Sequence, residues 1–548
     1  MLYSVLIGGK AGQGVAKSSK ILGKVLVSLG YYVFNYRDYP SLITGGHNFN
    51  VVTFSEREIE SHEWKFDIIV ALDENTVELH KKNLKENGII VGDENLSGVG
   101  IRIPTEKIIE EIGGEKILKN AILLGSVAKI FGIDFNVLES VLKREFGENK
   151  LEIEAARRGY ELTEKKINLA PAVKKEKYFL TGNEAIALGA LAAGLDTYIA
   201  YPMTPATPVL HFLAKRKDKY NLNVLQLENE IAVVNAALGA SYAGATVMVG
   251  TSGGGFALMS EALSLQGMSE VPLVVYLAQR TAPSTGVPTY TTQGDLKFAL
   301  NAGHGEFPRV VIAPGDAKEA FYRTIEAFYL AYKYRVLSII LGDKHLGEST
   351  YTFEDLEEPK VKPQKFIVEN PEKDYKSYKL TDNGVSPRAV PGQGVVVRAT
   401  SYEHNEYGNT TEDPYWIKLM NEKRWKKFDA IKKEVEKLGP VKVYGKGDNL
   451  LIGWGSTKGA ILDALKTLPD YRFMQIVYLS PFPAKQVKEE IEKSKNVILV
   501  ENNVTGLLGD VIVEQTGIKI DKKILKYDAR PFSAEEIVEA IKKCKHTG

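Results

Sequence analysis

The sequence predicts an α/β protein with three α/β domains and mainly parallel sheets. Its 548 residues exceed the size at which a single hydrophobic core keeps growing, so several domains are expected. Short apolar segments alternate with helical patterns in three separate blocks, which is the rhythm of βαβ units. Glycine-rich turns connect several of these segments to the helices that follow them.

The first block covers residues 1–172 and predicts a parallel sheet. Its strands are YSVLIGG, YYVFNY, FDIIVAL and GIIVGDE, with a helix after the first. The glycine turn between strand and helix fails the dinucleotide fingerprint at Lys17 and the P-loop at Val15. A tight turn is therefore favoured over a phosphate site, which spacing alone leaves open. The charged stretch 170–177 predicts the first domain boundary.

A loop in the first block, residues 38–48, combines a proline, hydroxyls, two glycines and a histidine. Loops of such particular composition are more often functional than neutral. Its candidate residues are Ser41, Thr44, Gly45 and His47.

The second block, residues 178–355, has six predicted strands and predicts a doubly wound domain. YPMTPATP follows the first strand, at the edge where ligands bind in open parallel sheets. We expect Thr207 to cap the next helix, with Pro208 at its first position, and Thr204 to face the crevice. A proline-stiffened turn without a ligand remains an equal alternative.

Glu230 opens an otherwise apolar helix. An acid there can simply favour the positive helix end, and for the residue alone this interpretation is preferred. Next to the Thr204 loop, however, a partly desolvated carboxylate is suited to sharing a proton. Gly253 to Gly255 would let a bulky group approach the backbone. Arg280 ends an apolar strand and offers a planar fork to a carboxylate, although a surface salt bridge is as plausible.

Residues 356–445 predict a connecting region with a charged helix near 422–438. His404 in this region is interpreted as a solvated loop histidine. Residues 446–548 predict the third α/β domain, with strands DNLLIGWGS, YRFMQIVYLS, NVILVEN and KKILKYD. Glu501 to Asn503 are interpreted as turn residues rather than an interface.

Composition narrows the function. Lys and Arg number 70 against 69 Asp and Glu, so no net field exists to hold nucleic acid or an anionic membrane. The most apolar stretch is too short to span a bilayer, and no export signal is visible, so a cytoplasmic protein is expected. Cys544 is the single cysteine and cannot hold an iron–sulfur cluster, which takes about four cysteines. We predict no metal ligands in this chain.

Several strings together resemble one family. GGKAGQGV and YPSLITGGHN resemble the gamma subunit of 2-oxoacid:ferredoxin oxidoreductases. YPMTPATP, LENEIAVVNAALGASYAGA, TSGGGFALM and QRTAPSTGVPT resemble the pyrimidine-binding domain of the alpha subunit, and LLIGWGSTKGAI resembles a transketolase C-terminal domain. This order is similar to the alpha subunit of the two-subunit type, with the gamma domain fused at its N-terminus.

The resemblance implies thiamine diphosphate as cofactor. Glu230 matches the glutamate that binds the pyrimidine, with Tyr201, Pro202, Gly253 and Gly254 on the cofactor side. Thr204 and Arg280 match the residues that hold the 2-oxoacid carboxylate. The loop with Ser41, Thr44, Gly45 and His47 matches the coenzyme A side, although the family has arginine where Thr44 stands.

The resemblance also implies the partners. A beta subunit would hold the diphosphate, Mg²⁺ and the iron–sulfur cluster, ferredoxin would accept electrons, and a dimer of heterodimers is implied. Alternatives are a subunit of a thiamine-dependent dehydrogenase or transketolase without iron–sulfur chemistry, or a non-catalytic scaffold that kept the fold. A nicotinamide dehydrogenase is disfavoured at Lys17. The 2-oxoacid itself is not specified.

Overall fold

The strands alternate with helices along the whole chain. The computed structural model describes residues 1–40, 46–147 and 150–546, and twenty strands lie within them. These are β1 (Leu2–Lys10), β2 (Tyr32–Asp38), β3 (His47–Ser55), β4 (Phe66–Ala71), β5 (Leu84–Asp93), β6 (Ile101–Ile103), β7 (Tyr178–Thr181), β8 (Thr197–Ala200), β9 (Asn223–Gln226), β10 (Val247–Thr251), β11 (Leu273–Gln279), β12 (Arg309–Ile312), β13 (Leu337–Asp343), β14 (Thr350–Phe353), β15 (Val441–Gly445), β16 (Asn449–Gly453), β17 (Tyr471–Ile476), β18 (Tyr478–Ser480), β19 (Val497–Glu501) and β20 (Lys522–Leu525).

The same ranges contain nineteen α-helices and two short 3₁₀ helices, Lys81–Asn83 and Lys116–Leu118. The α-helices are α1 (Val15–Ser28), α2 (Glu74–His80), α3 (Thr105–Glu111), α4 (Lys119–Ile130), α5 (Phe135–Phe146), α6 (Lys150–Glu161), α7 (Gly182–Ala192), α8 (Thr207–Ala214), α9 (Lys217–Tyr220), α10 (Glu230–Tyr242), α11 (Gly253–Ser269), α12 (Leu296–Asn301), α13 (Ala317–Tyr334), α14 (Lys344–Glu348), α15 (Pro414–Leu438), α16 (Thr457–Leu465), α17 (Ala484–Glu492), α18 (Leu507–Thr516) and α19 (Ala534–His546).

The chain forms two compact units. The N-terminal unit comprises Met1–Leu180, Glu348–Leu356 and Ser533–Gly548, and the large unit comprises Thr181–Gly347 and Glu357–Phe532. Strand β14 belongs to the first of these because it pairs with β2 at Thr350 and Asn35. A compact unit can thus draw on distant stretches of chain. The division into four consecutive segments made from the sequence stays a prediction.

The N-terminal unit has an eight-stranded sheet in the order β6-β5-β4-β1-β3-β2-β14-β7. Strands β6, β5, β4 and β1 are parallel, as expected. Strands β1, β3, β2 and β14 pair antiparallel, so the parallel sheet predicted for this block is found in one half of the sheet and was wrong for the other. The reason is β3, which the sequence pattern did not reveal. It lies between β1 and β2 in the sheet and runs antiparallel to both of them.

The large unit contains a seven-stranded sheet in the order β18-β12-β13-β11-β10-β8-β9. All six strands predicted for the second block are present and parallel. The three central strands are buried along their full length, because helices cover both faces of a parallel sheet. One apolar core joins α10, α11 and α12 to this sheet and continues into the next sheet.

The last sheet has the order β15-β17-β16-β19-β20, parallel except for β15. The segment YRFMQIVYLS, predicted as one strand, is divided in two. Its first part is β17, and its second part, β18, leaves this sheet to pair antiparallel with β12. A strand from the third block thus forms part of the sheet of the second block.

The connecting region is packed rather than extended. Helix α15 begins at Pro414, earlier than predicted, and its Lys423 Nζ lies 2.8 Å from both carboxylate oxygens of Glu270. Lys427 contacts the same buried carboxylate, and the surrounding cations hold the pKa of Glu270 well below its usual range.

The interpretation of His404 as a solvated loop histidine was wrong. Its side chain is fully buried, its Nδ1 lies 2.8 Å from the carbonyl of Tyr402, and its ring centroid is 3.8 Å from that of Tyr378. Burial lowers the pKa of this imidazole, so it stays neutral at physiological pH. His404 therefore packs in the interior of the connecting region, against Tyr378.

None of the helices in the described ranges combines the length and apolar character that a membrane crossing requires. Within the same ranges, no three His, Cys, Asp or Glu side chains are grouped in a way that could hold a metal ion.

Candidate active site

The candidate site lies at the carboxyl edge of the seven-stranded sheet. The chain runs from β8 outward to β9 and then back across to β10, so the strand order reverses between β8 and β10. Crevices at such reversals are the usual ligand sites of open α/β sheets. The segment Tyr201–Pro208 follows β8, and the glycines at the start of α11 follow β10.

A cleft of about 640 Å³ opens along this edge. Among its lining residues are Gly253, Gly254, Arg280, Asp295, Asn503 and Tyr527. It therefore brings together three of the residues predicted from the sequence. Glu230, Thr204, Tyr201 and Pro202 do not line the cleft. Tyr201 is 38% exposed and Pro202 is half-buried beside it.

Arg280 and Thr204 are in direct contact. The Arg280 Nη1 donates a 2.9 Å hydrogen bond to the backbone carbonyl of Thr204. Arg280 is only 9% exposed, which excludes the surface salt bridge considered from the sequence. Burial lowers the pKa of this guanidinium, whereas the charges of Asp295 and Glu230 act in the opposite direction. A buried cation thus directly follows β11 at the cleft.

The Thr204 turn is held by a chain of hydrogen bonds that the sequence did not reveal. The Nδ2 of Asn183 donates to the carbonyl of Pro205 at 3.1 Å, and the hydroxyl of Tyr276 donates to Asn183 Oδ1 at 2.9 Å. Both supporting side chains are fully buried. The position of the turn is therefore set by the core of the sheet.

The expected capping role of Thr207 was wrong. Ala206 is the cap of α8, Thr207 is the first helical residue, and no side chain caps the helix. The backbone N–H groups of Ala206 and Thr207 both donate to the carbonyl of Met203, at 2.8 and 3.2 Å. Pro208, predicted at the first helical position, is the second helical residue and has no N–H, and the N–H of Val209 donates to the carbonyl of Ala206 at 3.1 Å. The donors that a side-chain cap would serve are therefore absent or already used.

Glu230 is the first residue of α10, whose cap is the side chain of Asn229. It is 3% exposed, and its Oε1 is buried without a hydrogen-bond partner in the described part of the chain. Gly255 of α11 lies against it, because a Cβ at that position would stand 2.3 Å from Oε1. A buried polar atom without a partner costs about 1–3 kcal/mol and calls for an explanation. A favourable helix-end charge alone does not supply one.

Asp295 is a site residue that sequence reasoning missed. Its Oδ2 is buried without a hydrogen-bond partner among the described residues, and burial raises the pKa of its carboxyl to about 6, against the opposing charge of Arg280. A Cβ at Gly253 would stand 2.6 Å from this oxygen. The only local signal was an acid in the loop that follows Arg280.

Glu501, Asn502 and Asn503 make internal contacts. Glu501 accepts from the indole N–H of Trp454 at 2.8 Å, and Asn503 Nδ2 donates to the carbonyl of Gln293 at 3.1 Å. These bonds fix the cleft wall where the two sheets of the large unit meet. The interpretation of the whole segment as a turn was wrong for Glu501, which is the last residue of β19, and Asn503 also lines the cleft.

In the N-terminal unit, Ser41, Thr44 and Gly45 lie outside the described residues. His47 begins β3, and its Nε2 lies 2.9 Å from the Nε2 of His80. Burial lowers the pKa of both imidazoles, that of His80 to about 4. The pair is therefore neutral near pH 7.

A second cleft of about 680 Å³ opens in the same unit beside the glycine turn before α1. Gly12 and Gly14 there have φ values of 89° and 80°, which favour glycine. This conformation agrees with the tight-turn interpretation of the motif.

Two family models match the chain. One is described as "Pyruvate flavodoxin/ferredoxin oxidoreductase, thiamine diP-bdg" and matches residues 188–422, which include Thr204, Glu230 and Arg280. The other is described as "Pyruvate ferredoxin/flavodoxin oxidoreductase" and matches residues 4–162. The fold and the site thus define an oxidoreductase chain with a thiamine diphosphate-binding domain.

Full-length relatives make the family specific. The alpha subunit of a 2-oxoacid:ferredoxin oxidoreductase from Sulfolobus sp is 33% identical, over 99% of this chain and 96% of that one. A 2-oxoglutarate oxidoreductase subunit from Mycobacterium tuberculosis is 31% identical, over 85% of this chain and 76% of that one. The solved 2-oxoglutarate:ferredoxin oxidoreductase from Magnetococcus marinus, with 2-oxoglutarate, coenzyme A and succinyl-CoA bound, matches with a TM-score of 0.90, 30% identity and 99% coverage of both chains.

The chain belongs to the alpha subunits of the 2-oxoacid:ferredoxin oxidoreductases. The family, fold class and enzyme class predicted from the sequence are confirmed. The designation as an alpha subunit implies at least one partner subunit.

Proposed function

We propose that this chain supplies the pyrimidine-facing and substrate-facing half of a thiamine diphosphate site. The assembled enzyme would convert a 2-oxoacid and coenzyme A into an acyl-CoA and CO₂ and pass the electrons to ferredoxin. The observation that carries the proposal is the Oε1 of Glu230, which has no hydrogen-bond partner among the described residues and is buried beside Gly255, at the strand reversal next to Arg280.

Glu230 fits the cofactor through its open acceptor. A carboxyl oxygen that is buried and unpaired can hold a proton shared with a ring nitrogen, and the absence of a side chain at Gly255 leaves room at that oxygen. Thiamine diphosphate, when bound, supplies the electron sink that lets the bond to the substrate carboxylate break. The role of Glu230 is to hold the proton at the ring, with Tyr201, Pro202, Gly253 and Gly254 on the cofactor side.

Arg280 and Thr204 would hold the carboxylate of the 2-oxoacid. One of the five guanidinium donors is used by the Thr204 carbonyl, which fixes the side chain's direction. A carboxylate that meets this buried cation gains a charge-assisted bond in a place of low polarity. Positioning the acid in this way lowers the barrier because the reacting atoms start close together.

The partner would be a beta subunit that holds the diphosphate, Mg²⁺ and an iron–sulfur cluster. Cys544 is the single cysteine of this chain, so a cluster of about four cysteine ligands needs another chain. Ile231, which follows Glu230 on α10, and Leu258, one turn after Gly255 on α11, are each 52% exposed. Exposed apolar side chains beside an incomplete site suit burial by that subunit. We further infer a dimer of such heterodimers.

Coenzyme A would be contacted by the loop that contains Ser41, Thr44, Gly45 and His47. Support comes from the Magnetococcus enzyme, which was solved with coenzyme A and succinyl-CoA bound. The neutral imidazole of His47 would contribute shape and hydrogen bonding rather than positive charge.

Reconstitution tests the proposal. The chain is produced alone and together with its partner under anoxic conditions, and coenzyme A-dependent reduction of a viologen dye is measured with pyruvate, 2-oxoglutarate and a branched-chain 2-oxoacid. We expect activity and bound iron in the complex and neither in the isolated chain. An iron-free complex with full thiamine-dependent activity would instead support a dehydrogenase or transketolase-like enzyme. Stoichiometric iron on this chain alone would overturn the division of roles.

A further inference from the structure

Two charged side chains line the cleft in the described part of the large unit, Arg280 and Asp295. Arg280 directly follows β11, and Asp295 directly precedes α12, the next helix in the chain. The cleft therefore holds one cation and one acid, and the charge state of the acid sets its net charge.

Among the described residues, no contact accounts for the buried side chain of Asp295. It stands at the cap position of α12, yet the carboxylate accepts no bond from that helix. Its Oδ2 is buried without a hydrogen-bond partner in the part of the chain that the structure describes. Its backbone is fixed instead, since its N–H donates at 2.9 Å to Gln279 Oε1, and Gln279 Nε2 donates at 3.1 Å to the carbonyl of Gly342. The backbone of Asp295 is thus fixed to the sheet, and its carboxyl group remains available to a ligand in the cleft.

Few charges face this carboxyl group. Arg280 is the opposing charge from β11, and Glu230 at the start of α10 acts on Arg280 in turn. The first turn of α11 presents the glycines 253–255 and no charged side chain. On α12 itself, Lys297 is paired with Asp510 at 2.6 Å. At the end of β13, Asp343 accepts from the hydroxyl of Thr291 at 3.2 Å.

We propose that Asp295 is a positioning residue that couples 2-oxoacid binding at Arg280 to the uptake of a proton. When its carboxyl group is ionised, it competes with the substrate carboxylate for the guanidinium and repels that carboxylate. When the carboxyl group is protonated, both effects vanish, and the charge of Arg280 is available to the substrate carboxylate. The inference rests on the proposed role of Arg280 in holding the 2-oxoacid.

The direction of the pH effect follows from the environment. Burial raises the pKa of Asp295 to about 6, and Arg280 opposes the rise. A second negative charge at Arg280 favours the protonated form further, so substrate binding takes up a proton. Below this pKa the cleft is ready for the substrate. Above it, the KM for the 2-oxoacid should rise by up to about tenfold per pH unit.

The test measures KM and kcat of the reconstituted complex between pH 5.5 and 8.5. The wild type, Asp295→Asn, Asp295→Glu and the exposed control Asp218→Asn are compared. We expect the wild-type and control KM to rise with pH, Asp295→Asn to lose this rise, and Asp295→Glu to retain it with a moved midpoint. The pH dependence should reside in KM rather than in kcat.

A wild-type slope in Asp295→Asn would overturn the inference. If the Asn variant does not assemble, an unmoved midpoint in Asp295→Glu would do the same. Arg280→Lys separates this from a failure of the proposed function. A normal KM in Arg280→Lys would contradict the role of Arg280, whereas a raised KM there together with a wild-type slope in Asp295→Asn would contradict the role of Asp295 alone.

Discussion

The Nη1 of Arg280 donates a 2.9 Å hydrogen bond to the backbone carbonyl of Thr204. This bond joins two segments that are 76 residues apart in the sequence and that follow different strands. In the proposed site, the threonine and the arginine would therefore act together. The turn orients the guanidinium, and the guanidinium provides the charge.

Arg280→Lys should weaken substrate binding. A lysine keeps the charge but cannot serve the Thr204 carbonyl and a carboxylate with one planar fork. A charge-assisted hydrogen bond contributes about 1.5–3 kcal/mol, so kcat/KM should fall about 10- to 100-fold, mainly through KM. Steady-state kinetics of the complex measure this, with the exposed Arg57→Lys as control. An unchanged KM would contradict the role of Arg280.

Gly255→Ala should displace Glu230. The added Cβ would stand 2.3 Å from Glu230 Oε1 and 2.2 Å from Thr251 Oγ1, so one of the neighbours must move. Overpacking of this kind costs about 1–3 kcal/mol and should also lower the affinity for thiamine diphosphate. Thermal unfolding and cofactor titration measure both effects. Gly100→Ala, where the nearest atom is 3.6 Å away, is the matched control, and equal behaviour of the two variants would refute the contact.

The histidine pair should make the chain labile to mild acid. Burial lowers the pKa of His80 to about 4, so between its unfolded value near 6.5 and this value the unfolded state binds more protons. Stability therefore falls as the pH is lowered through that window and is fully present above it. Melting temperatures at pH 7 and pH 5 should differ less in His80→Gln than in the wild type. The exposed His211→Gln should behave as the wild type, and an equal loss in all three chains would rule out the pair as the cause.

Leu258→Glu should impair assembly with the partner. Leu258 is 52% exposed on α11, and a charge placed at an apolar interface is costly when buried. Co-purification from cells that express both subunits measures the loss. Leu162→Glu, exposed on the N-terminal unit, should leave the complex intact. Normal recovery of the complex with Leu258→Glu would remove α11 from the proposed interface.

Much of the fold of the large unit could be predicted, because each of its parallel strands is a short apolar run bounded by turn residues. Strand β3 was missed because its first two residues fall in the predicted loop 38–48 and polar residues interrupt its apolar ones, whereas the predicted strands are nearly continuous apolar runs. Strand β14 pairs with β2 across more than 300 residues, a separation at which sequence periodicity carries no information.

The candidate site was predictable where motifs were local. Thr204, Glu230 and Arg280 each stand at a strand or helix end, and the resemblance assigned them roles. Asp295 was not found, because burial and an unpaired oxygen are properties of the folded chain. His404 was misjudged for the same reason, since a polar loop sequence does not reveal that its side chain is buried against Tyr378.

Glu230→Gln in the assembled complex tests the central claim most directly. Glutamine keeps the shape of the side chain and removes the carboxyl group that would hold a proton at the pyrimidine. Coenzyme A-dependent viologen reduction should fall at least about 100-fold, within the range of general acid–base contributions. The exposed Glu228→Gln should retain wild-type rates. Full activity in Glu230→Gln would contradict the assignment of this chain's half of the thiamine site.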